Sequence, residues 1–219
     1  IKELLKEADY NMYREKMHHQ HCGRNDLVQT LTKAMKARDL VFEWHGERLQ
    51  NLVIELAREF GLPESLMTDL RLFAQFHDIG KVGVLDSIIF KPGKLTESES
   101  GEMQRHCEIG FRIAQSSPNL MPIANWILYH HEWWNGAGYP YGLKGEEIPI
   151  EARILSVVVA YDSMTNNRPY RKQYSHDQAV EELKKGAGVQ FDPVLVDIFI
   201  NIVKRNKVLG QGLATDLKQ

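Results

Sequence analysis

Apolar residues in this chain recur at spacings of three and four almost from end to end, and nowhere alternate in period two for long enough to build a sheet. In the stretch 45–60, Leu49, Leu52, Val53, Leu56, Ala57 and Phe60 share one helix face, and Gly61 supplies the stop. The stretch 64–78 repeats the pattern with Leu66, Leu70, Phe73 and Ala74, and the next position on that stripe is His77. Thr96 with Glu99 reads as a capping box for a helix at about 97–116, and Ser175 with Gln178 does the same for 176–185. Asp192 followed by Pro193 marks the N-cap and first position of a helix over 193–206. Residues 132–150 break into a loop rich in Gly, Pro and aromatics, and the polar stretch after Leu209 reads as a disordered tail. The expected fold class is therefore all-α, a helical bundle.

At its amino end, IKELLKEADYNMYREKM (1–17) reads as an amphipathic helix with Leu4, Leu5, Ala8, Met12 and Tyr13 on one side. HHQHCGRND follows as a linker, whose His18, His19, His21 and Cys22 are a weak metal-binding candidate, because adjacent exposed histidines need no partner. The chain opens on Ile1 without Met, so we expect a fragment whose upstream part, with any sensor or membrane anchor, has been removed. No apolar run approaches the roughly 18 residues of a membrane span, and the longest, Ile154 to Tyr161, contains Ser156. Cys22 and Cys107 form neither a disulfide framework nor a CxxC knuckle, which fits a reducing, cytoplasmic setting. With 27 basic against 29 acidic residues and a net charge of −2, the chain lacks the basic excess of a protein that grips nucleic-acid polymers. A small phosphorylated ligand is not excluded by that balance.

The chemistry concentrates in histidine. Five of the nine, His45, His77, His106, His130 and His131, form a second group apart from the linker cluster, with Asp78 directly after His77. A single histidine on a core face is usually a satisfied core residue. Five, with a neighbouring carboxylate and a His-His doublet, are harder to read that way. Neutral imidazole is a common ligand for Zn, Fe and Mn, and facing helices of a bundle can converge such ligands in the interior. The residues alone thus point to a His-rich metal site, and to metal-assisted hydrolysis as its work. Lys81, Lys91, Lys94, Arg168 and Arg171 are individually ordinary surface charge. Beside a metal centre they suggest an anionic, phosphorylated substrate.

Four segments taken in order, HDIGK (77–81), KPGKLTESE (91–99), HHEWWNGAGYPYGLKGEEIP (130–149) and NRPYR (167–171), resemble the HD-GYP family, the branch of HD-domain phosphohydrolases that degrades cyclic di-GMP. The dipeptide HD alone is weak; the ordered set with an intact Gly138-Tyr139-Pro140 is specific, and the likeness covers about residues 25–205. LLKEADYNMYREK (4–16) resembles the final helix of a GGDEF domain. The implied organisation is a GGDEF-derived helix plus linker over 1–22, an HD-GYP domain over 23–209 and a polar tail over 210–219.

The resemblance implies metal ligands at His45, His77, Asp78, His106, His130 and His131, with Asp78 bridging two divalent ions, Fe or Mn in preference to Zn. It implies a phosphate-facing role for Lys81, and dinucleotide contacts at Asp162, Arg168, Arg171 and Tyr139. Two positions depart from the family. Val159 stands where a metal-binding Asp is usual, and Val41 where members with a third metal carry Glu. Valine cannot ligate, so two ions rather than three are expected, with lowered activity. The implied reaction is hydrolysis of cyclic di-GMP to pGpG or GMP. The rivals are a degenerate module that binds dinucleotide or a partner protein, and a related enzyme with another cyclic dinucleotide substrate. GGDEF or sensor domains of the same protein and a homodimer are the further partners it suggests.

Overall fold

Burying the stripes read from the sequence produces a bundle in which helix ends, rather than helix middles, meet at one place. The computed structural model describes residues 47–166 and 173–216, all within the compact unit His45–Gln219. Helix α1 (Glu47–Phe60) buries Leu49, Val53, Ile54, Leu56 and Ala57. It closes where the Gly61 and Leu62 N–H groups return to the carbonyls of Arg58 and Ala57. Helix α2 (Met67–Phe76), entered by a 3-10 turn at Glu64–Leu66, packs on α1 and buries Met67, Leu70, Phe73, Ala74 and Phe76. A second 3-10 turn (Ile79–Gly83) and the short α3 (Asp86–Ile89) follow.

The helix expected over 97–116 is two helices, α4 (Glu97–Gln104) and α5 (His106–Ser116), sharing Arg105 as their joint. The reason is burial. Helix α4 buries nothing, whereas α5 must turn His106, Cys107, Gly110 and Ala114 into the core. Both capping boxes form: Glu99 and Thr96 exchange bonds of 3.3 and 2.7 Å, and Gln178 and Ser175 bonds of 3.2 and 2.8 Å. After α6 (Ala124–Tyr129) and the 132–149 loop comes α7 (Ile150–Thr165), packed against α1, α6 and two later helices, α8 (His176–Gly186) and α9 (Pro193–Asp216). Its run of buried residues, Ala152, Ile154, Leu155, Val157, Val158 and Tyr161, covers much of its circumference, as a central helix requires.

Asp192 caps α9 as expected, accepting from the Val194 N–H at 2.9 Å, and its other oxygen takes Arg153 at 2.7 Å. Helix α9 does not stop near 206: it continues to Asp216, through a stretch expected to be a disordered tail. Gly210 and Gly212 weaken a helix by about 1 kcal/mol each but keep their N–H groups, whereas a proline would have ended it. Among the described residues there is no strand, only isolated bridges at Asn135–Lys144 and Ala187–Phe191. No helix among them is long and apolar enough to cross a membrane. The expected all-α class is the observed one.

Candidate metal centre

Each histidine of the described cluster stands at a helix end. His77 closes α2, and Asp78 opens the 3-10 turn that carries Lys81. His106 begins α5, and His130 closes α6 with His131 next in sequence. Gly80 permits the meeting. Its backbone lies so close to α5 that a Cβ would fall 1.8 Å from the His106 carbonyl oxygen and 2.5 Å from the Gly110 nitrogen. Any other residue in HDIGK at this position would hold Asp78 and His106 apart.

Backbone carbonyls set the orientation of three imidazoles. His77, His106 and His130 place Nδ1 at 2.9, 2.7 and 2.6 Å from the carbonyl oxygens of Ala74, Met103 and Ile127, each three residues back. A carbonyl only accepts, so each Nδ1 carries its proton and donates, which leaves Nε2 as a lone-pair donor in the neutral ring. Those Nε2 atoms turn toward the Asp78 carboxylate: His77 lies 3.5 Å from Oδ2, and His106 and His130 lie 3.5 and 3.8 Å from Oδ1. His106 and His130 also face each other, Nε2 to Nε2, at 3.3 Å. Asp78 Oδ1 is buried with no hydrogen-bond partner. Lone pairs aimed at lone pairs around an orphaned carboxylate oxygen repel one another, and a cation among them reverses the sign. Asp78, His106, His130 and His131 each offer a ligand atom within 4.8 Å of the others. The donor set fits a divalent metal, with imidazoles of the type that suits Fe, Mn or Zn.

The protonation states agree. Burial drives His106 down to about 4, helped by His130. Burial, with His130 and His106 adding to it, also holds His131 well below the ordinary imidazole range. Both are therefore neutral, as ligands must be. For Asp78 burial acts the other way, but positive charge outweighs it, the Lys81 ammonium first and then the His77 and His130 rings in the protonated form they take in acid, and holds the carboxyl well below its usual range. Lys81 Nζ donates to Asp78 Oδ2 at 2.6 Å, so the expected phosphate-facing cation sits at the edge of the cluster. His131 is wedged at 4.1 Å between ring centroids from His130 and stacks on Tyr139 at 4.9 Å, 29° from parallel. Burial raises the Tyr139 phenol, which stays protonated.

Asp162 and Lys91, also read as substrate-facing, have partners of their own in the structure. Asp162 is buried at the end of α7, with Oδ1 3.2 Å from Arg48 Nε and Oδ2 accepting from Asn166 at 2.9 Å. It ties α7 to the start of α1. Lys91, read as a substrate-facing charge, donates to Glu99 at 2.5 Å and, with the Thr96 N–H, holds that carboxyl at about 2. Val159 is half-buried on α7. His45, Val41, Arg168, Arg171 and the linker cluster His18, His19, His21 and Cys22 lie outside the described residues, as does the amphipathic helix expected over 1–17.

Two residues of the site were not singled out by sequence. Cys107 is fully buried with Sγ 3.6 Å from His106 Nε2, and burial raises its pKa so that it stays a thiol. Its position beside a candidate ligand was the available signal. Glu132 is also buried, and its carboxylate accepts from the N–H groups of Tyr141, Gly142 and Leu143 at 2.8, 3.1 and 3.0 Å. A glutamate in a loop looks like solvated charge, and only its adjacency to His130-His131 marked it.

A family profile described as "HD domain" matches residues 28–195. The chain is 38% identical over 181 residues to a cyclic di-GMP phosphodiesterase of Thermotoga maritima, covering 82% of this chain and 49% of that protein. It is 37% identical over 177 residues to the 3'3'-cGAMP-specific phosphodiesterase 2 of Vibrio cholerae, covering 80% of this chain and 34% of that one. The chain thus spans half or less of the length of these relatives. Among solved structures, a cyclic GMP-AMP specific phosphodiesterase of V. cholerae, V-cGAP3, superposes with a TM-score of 0.61 at 23% identity, over 89% of this chain and 52% of that one. At that identity the likeness speaks for the fold.

Proposed function

The chain belongs to the HD-domain family, and from that premise we propose that it is a metal-dependent phosphodiesterase of the HD-GYP branch that hydrolyses cyclic di-GMP. One observation carries the proposal. Three imidazoles, each with Nδ1 fixed on a backbone carbonyl, direct Nε2 at an aspartate whose buried Oδ1 has no other partner. Such a site asks for cations. Divalent ions held there supply Lewis acidity toward a phosphoryl oxygen and an activated water.

The chain's own groups account for the rest. Asp78, held ionised beside Lys81, lies between the imidazoles, the place of a bridging ligand. Lys81 presents its ammonium where the scissile phosphate's charge grows in the transition state. Tyr139 forms a wall against His131 that limits how the dinucleotide enters. Arg168 and Arg171 are the proposed phosphate or guanine contacts. Asp162 already engages Arg48 and Asn166, so a dinucleotide contact there would exchange one of those partners.

His45 completes the proposed ligand set, and with valine at 41 and 159 the site holds two ions, Fe or Mn rather than Zn. The product is linear pGpG, or GMP after a second cut. A GGDEF or sensor segment upstream, and a homodimer, belong to the same proposal. Val159 favours a second reading, in which the site has lost turnover and the domain binds dinucleotide or a partner protein. The relative named for 3'3'-cGAMP keeps another substrate open.

The test is chromatography of products from cyclic di-GMP and from 3'3'-cGAMP after loading with Fe(II) or Mn(II). The proposal expects pGpG or GMP from the first substrate at the higher rate. Turnover confined to 3'3'-cGAMP would change the substrate, and tight binding of either without cleavage would favour the second reading.

A further inference from the structure

Next in sequence to the cluster is a buried charged side chain that contributes no ligand atom to it. Glu132 directly follows the His130-His131 doublet but turns away from it. Oε1 accepts from the Tyr141 and Gly142 N–H groups, and Oε2 from that of Leu143. Both oxygens are thereby committed to the segment just after Gly138-Tyr139-Pro140. The other side of the same segment hangs from His131: its carbonyl accepts from the Tyr139 N–H at 3.2 Å, and its ring stacks on the Tyr139 ring.

Gly138 brings the two sides of the loop together. A Cβ there would fall 2.3 Å from the Trp133 nitrogen and 2.6 Å from the Glu132 Cα, so only glycine allows the approach. Further out, Gly145 N–H reaches the Trp134 carbonyl at 2.9 Å, and Asn135 bridges to Lys144. Two adjacent residues, one facing the cluster and one facing the loop, thus fix the loop to the cluster.

We infer that Glu132 is a positioning residue for the phosphodiesterase reaction: its carboxylate gathers three loop amides and so holds the Tyr139 wall in register with His131, setting the shape of the dinucleotide pocket without touching metal or substrate. Hydrogen bonds from N–H groups to a carboxylate are stronger than neutral ones and, with both oxygens used, define direction as well as distance. A hydrophobic residue at 132 would leave three amides to water and the loop free to open. The inference rests on the proposed activity only for its kinetic arm.

The test is Glu132→Gln. The amide keeps the size and one acceptor oxygen, but turns an NH2 group toward the Leu143 N–H, donor against donor. Amide exchange of Tyr141, Gly142 and Leu143 in the metal-loaded protein should accelerate roughly tenfold or more, the scale of losing one hydrogen bond to a charged group. Metal content should stay at the wild-type value. The KM for cyclic di-GMP should rise by a similar factor, while hydrolysis of the small ester bis(p-nitrophenyl) phosphate, too small to need the wall, should be kept.

Gly138→Ala should give the same substrate-selective loss by pushing the loop from the opposite side. Unchanged exchange at the three amides would overturn the inference. So would equal loss of both substrates together with metal, the pattern of simple structural damage. A wild-type protein that cleaves neither substrate would defeat the proposed function instead. Glu132 would then be read by calorimetric titration with cyclic di-GMP, where an affinity equal to wild type overturns the inference and a roughly tenfold loss with metal retained supports it.

Discussion

Replacing Gly80 by Ala tests how the centre is assembled. The added Cβ would sit 1.8 Å from the His106 carbonyl oxygen, and the clash is with backbone, so no rotamer change relieves it. To restore 3.4 Å, the near edge of ordinary contact, the turn and α5 must part by about 1.6 Å (3.4 − 1.8). Metal–ligand distances tolerate about 0.2 Å, so Asp78 and His106 could no longer share an ion in their present geometry. Overpacking of this kind costs typically about 1–3 kcal/mol. At about 2–4 °C per kcal/mol for a chain of this size, melting should fall by roughly 2–12 °C. Metal affinity should drop at least as far as loss of a supporting hydrogen bond would lower it, about 10–100-fold. Differential scanning calorimetry of the metal-stripped protein and calorimetric titration with Mn(II) measure the two effects separately. A Gly80→Ala protein that melts and binds metal like wild type would refute the close-approach account of the site.

Gly101, exposed inside α4 with nothing within 4 Å of a Cβ, is the control: Gly101→Ala should stabilise the fold by about 1 kcal/mol, and a loss on thermal melting would contradict that. The metal-free protein should weaken as pH falls from 6.5 toward 4, because the unfolded chain takes up the proton that buried His106 refuses until about 4. The gap corresponds to roughly 3 kcal/mol, lost progressively across that window, and His131 adds in the same direction. Urea unfolding of stripped protein at several pH values checks it, and stability that is flat or rising toward pH 5 would be the wrong sign. Val159→Asp should tighten metal binding and raise cyclic di-GMP turnover if the missing carboxylate is what limits the site. A mutant that melts lower, with no more metal and no faster turnover, would move the assignment to a binding module.

Periodicity made α1 and α2 legible, since their stripes face one core, and capping signals made α8 and the start of α9 legible, since caps are local chemistry. The convergence of Asp78, His106, His130 and His131 was legible by number, because several histidines with one adjoining aspartate exceed what a core needs. What stayed hidden depended on contacts between distant segments. The break at Arg105 follows from α5 having a core to face when α4 has none, which the capping box at Thr96 does not reveal. Gly80 reads as a turn glycine until α5 is seen against it. Lys91 and Glu132 carry ordinary surface letters, yet one is spent on Glu99 and the other on three loop amides. The continuation of α9 to Asp216 had no strong local signal on either side, because glycine weakens a helix without ending it.

The central claim is that Asp78 and its imidazoles hold metal for cyclic dinucleotide hydrolysis. Its most direct test is turnover of cyclic di-GMP by stripped protein as Mn(II) is added in measured equivalents, with metal counted on the same sample. The account predicts no turnover in the stripped protein, a rise that saturates at no more than two ions per chain, and none of either in Asp78→Asn. Turnover indifferent to metal, or a third well-bound ion at saturation, would contradict it.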